Sequence, residues 1–363
     1  MLKLRNLDLV QFKNYASHSF SFKEQVIAVT GLNGIGKTNL LDAIYYLCFT
    51  RSYFSTGDAV NSMQGTSGFR ISGSLSVGEN STQVSVLLRE TGKKEVLCDG
   101  IQPDKMADHL GKFPAVMIAP DDIELITGGS ELRRKQIDAL LCQLDSDYLS
   151  ALISYNKFLQ QRNSYLRQTA DGSRRNDTLL DVLDERLMAS GNILFEKRKV
   201  FLPLFIEKTI ALYKHFAGKE EHISIQYESA LFNHSFEQLL QSNREKDYIL
   251  QRTTSGIHRD NLVFSIRNTP FKSMASQGQR KSLLFALKLA EAEILKSSKG
   301  FSPILLLDDV FEKLDAARMQ QLLEYVCKTL CPQLFLTDTH PERVQEIFNR
   351  IEVPYQKYNL ETQ

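Results

Sequence analysis

The chain has 363 residues, which is enough to bury more than one hydrophobic core, so two structural lobes are expected. Hydrophobic residues make up 42% of the sequence, charged residues make up 24%, and the formal net charge is +1. This composition excludes a disordered protein and a uniformly basic nucleic-acid binder, and it limits any DNA-binding surface to local clusters.

The N-terminal sequence argues against export or membrane insertion. Lys3, Arg5 and Asp8 interrupt the stretch that would have to be the apolar part of a signal peptide, and no apolar run approaches membrane-spanning length. The five cysteines include no C-x-x-C pair, which gives no support for a disulfide framework or a zinc site. A cytoplasmic protein without contact to a membrane is therefore expected.

A phosphate-binding loop is predicted near the start of the chain. The apolar run "VIAVT" predicts a buried strand that ends at Gly31, and "TNLLDAIYYLCF" predicts the amphipathic helix that follows. Between them, "GLNGIGKTN" matches the pattern G-x-x-x-x-G-K-[ST], in which Lys37 reaches the β- and γ-phosphates and Thr38 offers its hydroxyl to Mg²⁺. The predicted ATP-binding residues are Gly31, Leu32, Asn33, Gly34, Ile35, Gly36, Lys37, Thr38 and Asn39.

The middle of the chain changes from strands to helices. Short alternating runs between Phe69 and Asp99 predict an antiparallel β-subdomain, whereas residues 113–220 contain three long helical patterns and a polar linker. Strand patterns return after residue 220. The predicted organisation is an ATPase lobe formed by residues 1–112 and 221–363, with residues 113–220 inserted as a predominantly helical second lobe.

Two acids follow an apolar strand near the C-terminus. In "ILLLDD", Asp308 is placed to hold the metal together with Thr38, and Asp309 is placed to orient the attacking water. An acidic helix cap is the alternative for such a string, but the phosphate loop upstream favours the metal site. Lys37, Asp308 and Asp309 are thus the predicted catalytic residues. Because Asp309 is one methylene shorter than the usual Glu, hydrolysis should be slow.

A second turn that could meet a phosphate is "SMASQGQ", which opens a helix about thirty residues before the metal strand. Ordinary helix capping is the alternative role for its Ser and Gly. Its order relative to the metal strand and to "EKLD" favours a head-to-tail dimer, in which this turn closes over the γ-phosphate held by the other subunit. The residues predicted to act in trans are Ser276, Gly278, Gln279 and Asp315.

The chain resembles the RecF family from end to end, within the ABC-type ATPases that include the chromosome-maintenance proteins. The matching stretches are "LDLVQFKNY", "GLNGIGKTNLLDAIYYL", "PDDIELITGGSELRRKQID", "YNKFLQQRN", "SGIHRDNL", "SQGQRKSLLFALKLAEAEIL" and "LLLDDVFEKLD". The resemblance implies an α/β P-loop ATPase of the ABC type, with a mixed sheet flanked by helices, an antiparallel β-subdomain and an inserted helical lobe. It also implies the cofactors ATP and Mg²⁺, an ATP-dependent homodimer and a slow DNA-stimulated ATPase.

The same resemblance implies what the protein binds and what it does. The expected role is that of a recombination mediator in gap repair, replication recovery and SOS induction, which binds double-stranded and gapped DNA and cooperates with RecR, and with RecO and RecA in the same pathway. An ABC-type ATPase with another DNA-maintenance or transport role is the alternative. A transporter subunit would have its signature much nearer to the phosphate loop, and a small-molecule kinase would leave "SQGQ" and "EKLD" unexplained.

The basic clusters of the helical lobe are the candidates for DNA contacts. They would touch phosphates without reading bases, so that binding would be structure-directed and sensitive to salt. Solvated surface charge is the alternative for each cluster, and for Arg133 and Arg134 an internal pairing with Asp121 and Asp122 is another. The predicted DNA-binding residues are Arg133, Arg134, Arg162, Arg174 and Arg175, with Arg167 and "KRK" at 197–199 as further candidates.

Overall fold

A computed structural model describes residues 1–170, 175–217, 221–309 and 316–360 of the chain. The chain divides into two compact units. The first consists of Met1–Asp122, His215–Gly218 and Lys281–Gln363, and the second consists of Ile123–Lys214 and Lys219–Arg280. Both units combine chain segments that are distant in sequence. The predicted α/β fold is confirmed. The segment boundaries differ from the predicted ones, because residues 113–122 lie in the first unit and residues 221–280 lie in the second.

An antiparallel sheet of five strands forms one layer of the first unit. Apolar and polar side chains alternate along its first strand, which accordingly buries one face and exposes much of the other. The spatial order is β2-β1-β4-β5-β6. The strands are β1 (Leu2–Phe12), β2 (Tyr15–Ser21), β4 (Phe69–Val77), β5 (Asn80–Leu88) and β6 (Lys94–Cys98).

A second sheet of five strands in the first unit is parallel throughout its described pairings. Its central strands are short, almost continuously apolar runs that are buried along their whole length, as expected for strands covered on both faces. The order is β13-β3-β12-β11-β7. The strands are β3 (Val26–Thr30), β7 (Ala115–Ile118), β11 (Ile304–Leu307), β12 (Leu334–Asp338) and β13 (Gln356–Asn359). The sheet predicted as mixed is thus parallel in its described pairings, and the predicted antiparallel β-subdomain is the separate sheet β2-β1-β4-β5-β6.

The helix α1 (Lys37–Phe49) contacts strands of both sheets. Its apolar residues, among them Leu40, Leu41 and Ile44, belong to the same buried core as the strands. The first unit also contains α9 (Gln277–Lys299) from Lys281 onward, α10 (Ala316–Glu324) with the π-helical turn Tyr325–Leu330, and α11 (Pro341–Ile351). The common core fixes the start of α1 against the end of the parallel sheet.

The second unit is mainly helical and also contains a sheet of its own, in the antiparallel order β10-β9-β8. Strands β8 and β9 both lie within residues 221–280 and pair with each other, which explains why these residues belong to the second unit and not to the first. The strands are β8 (Ile223–Glu228), β9 (Asn261–Ile266) and β10 (Thr269–Pro270). The helices are α2 (Glu124–Thr127), α3 (Ser130–Leu144), α4 (Ser146–Ala170), α5 (Asp177–Ala217, in this unit up to Lys214), α6 (Phe236–Ser242), α7 (Arg244–Leu250) and α8 (Phe271–Met274).

The long helix α5 runs through Pro203 without ending there. The ring removes one backbone hydrogen bond but does not end the helix, because buried residues on both sides, such as Leu202 and Phe205, hold it in place. In the described part of the chain, no helix has the length and apolar character that a membrane crossing requires.

Candidate nucleotide site

The phosphate loop connects the end of β3 to the start of α1, as the sequence predicted. Gly36 immediately precedes the helix with φ 114°, a conformation that strongly favours glycine. A Cβ at this position would lie 2.5 Å from Nδ2 of Asn14, so a larger residue would also displace the Asn14 amide from its bond to the loop. The loop therefore places the free N–H groups of the first turn of α1 where a phosphate can meet them.

The tip of the β1–β2 hairpin holds the phosphate loop from the side. The Asn14 amide donates to the carbonyl oxygen of Ile35 at 2.9 Å and accepts from the Asn39 amide at 2.7 Å. The Tyr15 hydroxyl donates to the carbonyl oxygen of Gly36 at 3.0 Å. Sequence reasoning did not assign these roles to Asn14 and Tyr15; the only signal was their position in "LDLVQFKNY", one of the stretches that carry the family resemblance.

The ammonium group of Lys37 lies across the loop. It donates to the carbonyl oxygens of Gly31 at 2.8 Å and Leu32 at 3.0 Å, and the residue is almost completely buried. An ammonium group has three donors, so these two bonds leave one for a phosphate oxygen. Its predicted place at the phosphates is consistent with this geometry.

Thr38 and Asp308 lie in contact although they are 270 residues apart in sequence. The Thr38 hydroxyl is 3.0 Å and 2.9 Å from the two carboxylate oxygens of Asp308, to which it donates. Asp308 follows β11, and Thr38 lies in the first turn of α1, so the pair occupies the carboxyl end of the parallel sheet, where ligands bind in open α/β folds. A hydroxyl and a carboxylate are the oxygen ligands that Mg²⁺ prefers. The two residues therefore fit the predicted metal site.

A third residue, Thr337, completes this cluster and was not predicted. Its hydroxyl donates to Asp308 at 2.8 Å and accepts the backbone N–H of Asp309 at 2.9 Å. Burial raises the pKa of Asp308, and the hydrogen bonds from Thr337 and Thr38 lower it in part. Asp309 adopts a positive φ of 45°, a sparsely populated conformation for a residue other than glycine. Thr337 thus fixes the backbone of the predicted water-orienting residue and the carboxylate of the predicted metal ligand.

The segment after β12 contains His340, for which the sequence "LTDTHPER" leaves two roles open, a contact with the γ-phosphate and that of a histidine in a surface loop. His340 is exposed, and its backbone N–H donates to the buried carboxylate of Asp338 at 2.6 Å. Arg343 also binds Asp338, at 2.7 Å. These contacts fix the start of α11, and the contact of His340 with a phosphate stays a prediction.

The predicted signature turn opens α9 and forms a capping box. The Ser276 hydroxyl accepts the N–H of Gln279 at 3.2 Å, while Oε1 of Gln279 accepts the N–H of Ser276 at 2.7 Å. The N–H of Gln279 is therefore already bonded within the turn, whereas the N–H groups of Gln277 and Gly278 lie in the first helical turn and have no intrahelical acceptor. The alternative role of Ser276 as a helix cap is therefore present. The capping box also orients the donors that the predicted role at the other subunit's γ-phosphate requires. The predicted Asp315 lies outside the described residues.

Arg162, predicted to contact DNA, is wholly buried. Its Nε donates to Asp184 at 2.5 Å, and its Nη1 donates to Asp247 at 2.7 Å and to the Thr253 hydroxyl at 3.0 Å. The prediction is wrong, because a guanidinium group without solvent exposure and with two buried carboxylate partners does not reach a DNA phosphate. Arg198, in the "KRK" cluster, is likewise buried and paired with Asp138 and Asp260.

Arg133 and Arg134 also bind inside the second unit. Arg133 is 9% exposed and donates to the carbonyl oxygens of Leu125 and Gly128, both at 3.0 Å, so the prediction that it contacts DNA is wrong. The half-buried Arg134 donates to the carbonyl oxygen of Asp260 at 2.7 Å, and its role in DNA binding stays a prediction. The partners found here are carbonyl oxygens and, for Arg134, also the Ser130 hydroxyl at 2.7 Å, where the sequence alternative named the carboxylates of Asp121 and Asp122.

Arg175 is accessible to a ligand. Its side chain is 51% exposed, donates to Glu245 at 3.1 Å and lies over the ring of Tyr248 at 4.1 Å from the ring centroid. Arg167 is exposed as well. Arg174 lies outside the described residues. Of the candidate arginines that the structure describes, Arg175 and Arg167 are therefore the two whose exposure fits a phosphate contact.

Known proteins resemble this chain over nearly its whole length. The family described as RecF/RecN/SMC N terminal domain matches residues 3–361. The DNA replication and repair protein RecF of Flavobacterium johnsoniae is 42% identical, over 99% of this chain and 100% of the relative. The protein of the same name from Cytophaga hutchinsonii is 41% identical, over 95% of this chain and 91% of the relative.

Two solved structures are similar as well. A structure of the recombination mediator protein RecF-ATPrS in the RecFOR pathway superposes with a TM-score of 0.88 and 26% identity, covering 99% of this chain and 96% of that chain. An Smc head domain from Pyrococcus furiosus superposes with a TM-score of 0.56 and 14% identity, covering 100% of this chain and 94% of that chain, which indicates the fold alone.

Proposed function

The chain belongs to the RecF family, and from this premise we propose that it is an ATP-dependent, DNA-binding recombination mediator that acts in repair of gapped DNA, replication recovery and SOS induction. The observation that carries the ATP-dependent part is the contact of Thr38 with Asp308 beside the phosphate loop. The DNA-repair part is supported by what the relatives are called, a DNA replication and repair protein and a recombination mediator.

The residues of the site can bind and orient Mg²⁺–ATP. The N–H groups of the loop and the third donor of Lys37 bind the β- and γ-phosphates. Thr38 and Asp308 hold Mg²⁺, which when bound neutralises charge on the phosphates. Asp308 must be ionised for this role, and the hydroxyl groups of Thr337 and Thr38 favour that form by donating to its carboxylate.

Hydrolysis is proposed to be slow and to serve as a switch. Asp309 orients the attacking water, and its shorter side chain places the carboxylate less well than Glu would. The hydrogen bond of its backbone to Thr337 keeps this residue fixed. DNA then accelerates turnover by favouring the dimer in which the site is complete.

The dimer is proposed to be head-to-tail and to form with ATP. Ser276, the first N–H groups of α9 and, by resemblance, Asp315 complete the site of the other subunit at the γ-phosphate. The capping box supports this role, because it fixes the Ser276 hydroxyl and the helix terminus in one arrangement. The chain thus contains two phosphate-binding turns because each serves a different nucleotide of the dimer.

The DNA contacts are proposed to be made by exposed cations of the second unit, with Arg175 first among the described ones. Such contacts bind phosphates of double-stranded and gapped DNA without base readout, and they weaken with salt. RecR is the proposed direct partner, with RecO and RecA in the same pathway, which is consistent with the RecFOR pathway named for the similar structure. The proposed location is the cytoplasm.

The trans arrangement is tested by Ser276→Arg. The variant should bind ATP as a monomer with nearly unchanged affinity, because the phosphate loop is intact. It should fail to dimerise with ATP, because a bulky side chain enters the space of the partner's γ-phosphate, and its turnover should fall accordingly. Calorimetry measures nucleotide binding, light scattering measures the dimer, and phosphate release measures turnover.

A mixture provides the control. Ser276→Arg retains a sound phosphate loop and Lys37→Ala retains a sound signature turn, so together they should form one composite site and recover part of the activity. If Ser276→Arg dimerises normally with ATP, or loses nucleotide binding as a monomer, the proposed trans mechanism is wrong.

A further inference from the structure

The side chain of Gln279 is held at both ends of its amide. Its Oε1 accepts the N–H of Ser276 at 2.7 Å, within the capping box that opens α9. Its Nε2 donates to Oε2 of Glu221 at 3.0 Å. Gln279 therefore connects the signature turn to a residue that lies 58 positions earlier in the sequence.

Glu221 precedes β8 and is 7% exposed. The same oxygen, Oε2, also accepts a hydrogen bond from the hydroxyl of Tyr213, a buried residue of α5. One carboxylate thus connects α5, the start of β8 and the signature turn, all within the second unit. Nothing in the sequence motifs pointed to Glu221.

The chemistry of a carboxylate decides how the Gln279 amide is oriented. An ionised carboxylate only accepts hydrogen bonds, so the NH₂ end of the amide must face Glu221 and the oxygen must face the N–H of Ser276. In the opposite orientation the amide would present a donor to the N–H of Ser276 and an acceptor to the carboxylate, and both bonds would be lost. Glu221 thereby selects the orientation in which the capping box forms.

The capping box in turn fixes the donors that face a phosphate. The Ser276 hydroxyl accepts the N–H of Gln279, so its own hydrogen points elsewhere and can be donated. The N–H groups of Gln277 and Gly278 project from the same turn. Three donors are thus preorganised together, and donors held in place before binding stabilise charge better than mobile ones.

We propose that Glu221 is a positioning residue for the signature turn: it orients the Gln279 amide so that Ser276 and the first turn of α9 are preorganised for the γ-phosphate bound by the other copy of this chain. The proposal rests on the proposed trans role of the signature. Glu221 itself touches no nucleotide and acts through Gln279.

Four variants test this proposal: Glu221→Ala, Glu221→Gln, Gln279→Ala and the double variant Glu221→Ala with Gln279→Ala. Glu221→Ala should weaken ATP-dependent dimerisation about tenfold, because the lost buried hydrogen bond no longer fixes the turn. ATP binding by the monomer should be unchanged. Glu221→Gln should recover most of the dimerisation, because its Oε1 can accept from Gln279 and from Tyr213.

The double variant separates positioning from general stabilisation. If Glu221 acts through Gln279, then Glu221→Ala should cause no further loss of dimerisation or of kcat in a chain that already has Gln279→Ala. Glu228→Ala is the matched control, because Glu228 is an exposed glutamate at the other end of β8. This variant should dimerise like the unchanged chain. Thermal unfolding of each variant shows whether the second unit is folded.

Additive losses in the double variant, or normal dimerisation of a folded Glu221→Ala chain, would overturn the proposal. If Glu221→Ala does not fold, the comparison of Glu221→Gln with Gln279→Ala decides: dimerisation retained by the first and lost by the second supports positioning, and equal losses contradict it. Failure here is distinguishable from failure of the proposed function. If Ser276→Arg blocks dimerisation while Glu221→Ala does not, only the role of Glu221 is wrong, whereas normal dimerisation of Ser276→Arg removes the premise itself.

Discussion

Replacing Arg162 by Ala should destabilise the second unit rather than reduce DNA binding by folded protein. The guanidinium group is inaccessible to solvent and binds the carboxylates of Asp184 and Asp247. Its Nη1 also donates to the hydroxyl of Thr253 at 3.0 Å. These partners lie on α5, on α7 and in the loop after α7, so one side chain of α4 connects three segments of the fold.

The magnitude follows from what remains after the substitution. Removing one member of a buried ion pair typically costs 3–5 kcal/mol, roughly, because the other charge stays buried without its partner. Here Asp247 retains bonds from the N–H and hydroxyl of Thr254, and Asp184 retains Arg244 at 3.2 Å. The loss of unfolding free energy should therefore be near the lower end of that range, about 3 kcal/mol. A typical domain is stabilised by roughly 5–15 kcal/mol.

Urea unfolding followed by circular dichroism measures this loss. DNA affinity over a range of salt concentrations tests the competing interpretation, in which Arg162 contacts DNA. The unfolding free energy of Arg162→Lys should lie between those of Arg162→Ala and the unchanged chain, since a single ammonium group cannot reach both carboxylates in the fork geometry of Arg. The exposed Arg175→Ala is the control for stability and should change it by less than about 1 kcal/mol. If Arg162→Ala unfolds like the unchanged chain but binds DNA with a lower salt dependence, the structural interpretation of Arg162 is refuted.

Three further predictions concern the nucleotide site and the DNA surface. Lys37→Ala should weaken ATP binding by roughly 100-fold, since it removes the ammonium group that reaches the phosphates, and unchanged affinity by calorimetry would contradict the site. Thr337→Val should lower turnover about tenfold and move the acid limb of the pH profile of turnover to higher pH. The reason is that the lost hydrogen bond to the ionised carboxylate raises the pKa of Asp308 further above its ordinary value, and an unshifted profile would contradict this role. Arg175→Ala should weaken duplex binding equally for unrelated sequences and reduce the salt slope by about 1; an unchanged slope would assign the contact elsewhere.

The nucleotide site could be predicted because its parts depend on local sequence patterns. The buried strand, the glycine turn and the helix that starts at Lys37 are adjacent in the chain, and the fully apolar run before Asp308 identifies a strand covered on both faces. The long-range contact of Thr38 with Asp308 then follows from the rule that parallel strands present their carboxyl ends at one edge of the sheet. Composition contributed nothing to this result.

The remaining parts of the site depend on contacts that no local pattern encodes. Thr337 lies at the end of an apolar strand, and only the register of β12 beside β11 brings its hydroxyl to Asp308. Asn14 is the tip of a hairpin whose distance from the phosphate loop is set by the packing of α1 between two sheets. The strands β8 and β9 likewise looked like parts of the ATPase lobe, because periodicity reveals a strand but does not reveal its partner.

The family-specific stretches of the second unit meet at one loop, Thr253 to Asn261. From "YNKFLQQRN" comes Arg162, which donates to Thr253, and from "RRKQID" come the arginines that donate to Asn261 and to the carbonyl of Asp260. Counting charges could not reveal this, because an arginine contributes the same formal charge whether it faces solvent or two buried carboxylates. The stretches that distinguish the chain from a transporter motor therefore build the interior of this unit. We accordingly expect DNA contacts first among exposed cations such as Arg175 and Arg167, which lie outside those stretches, while the half-buried Arg134 stays a candidate.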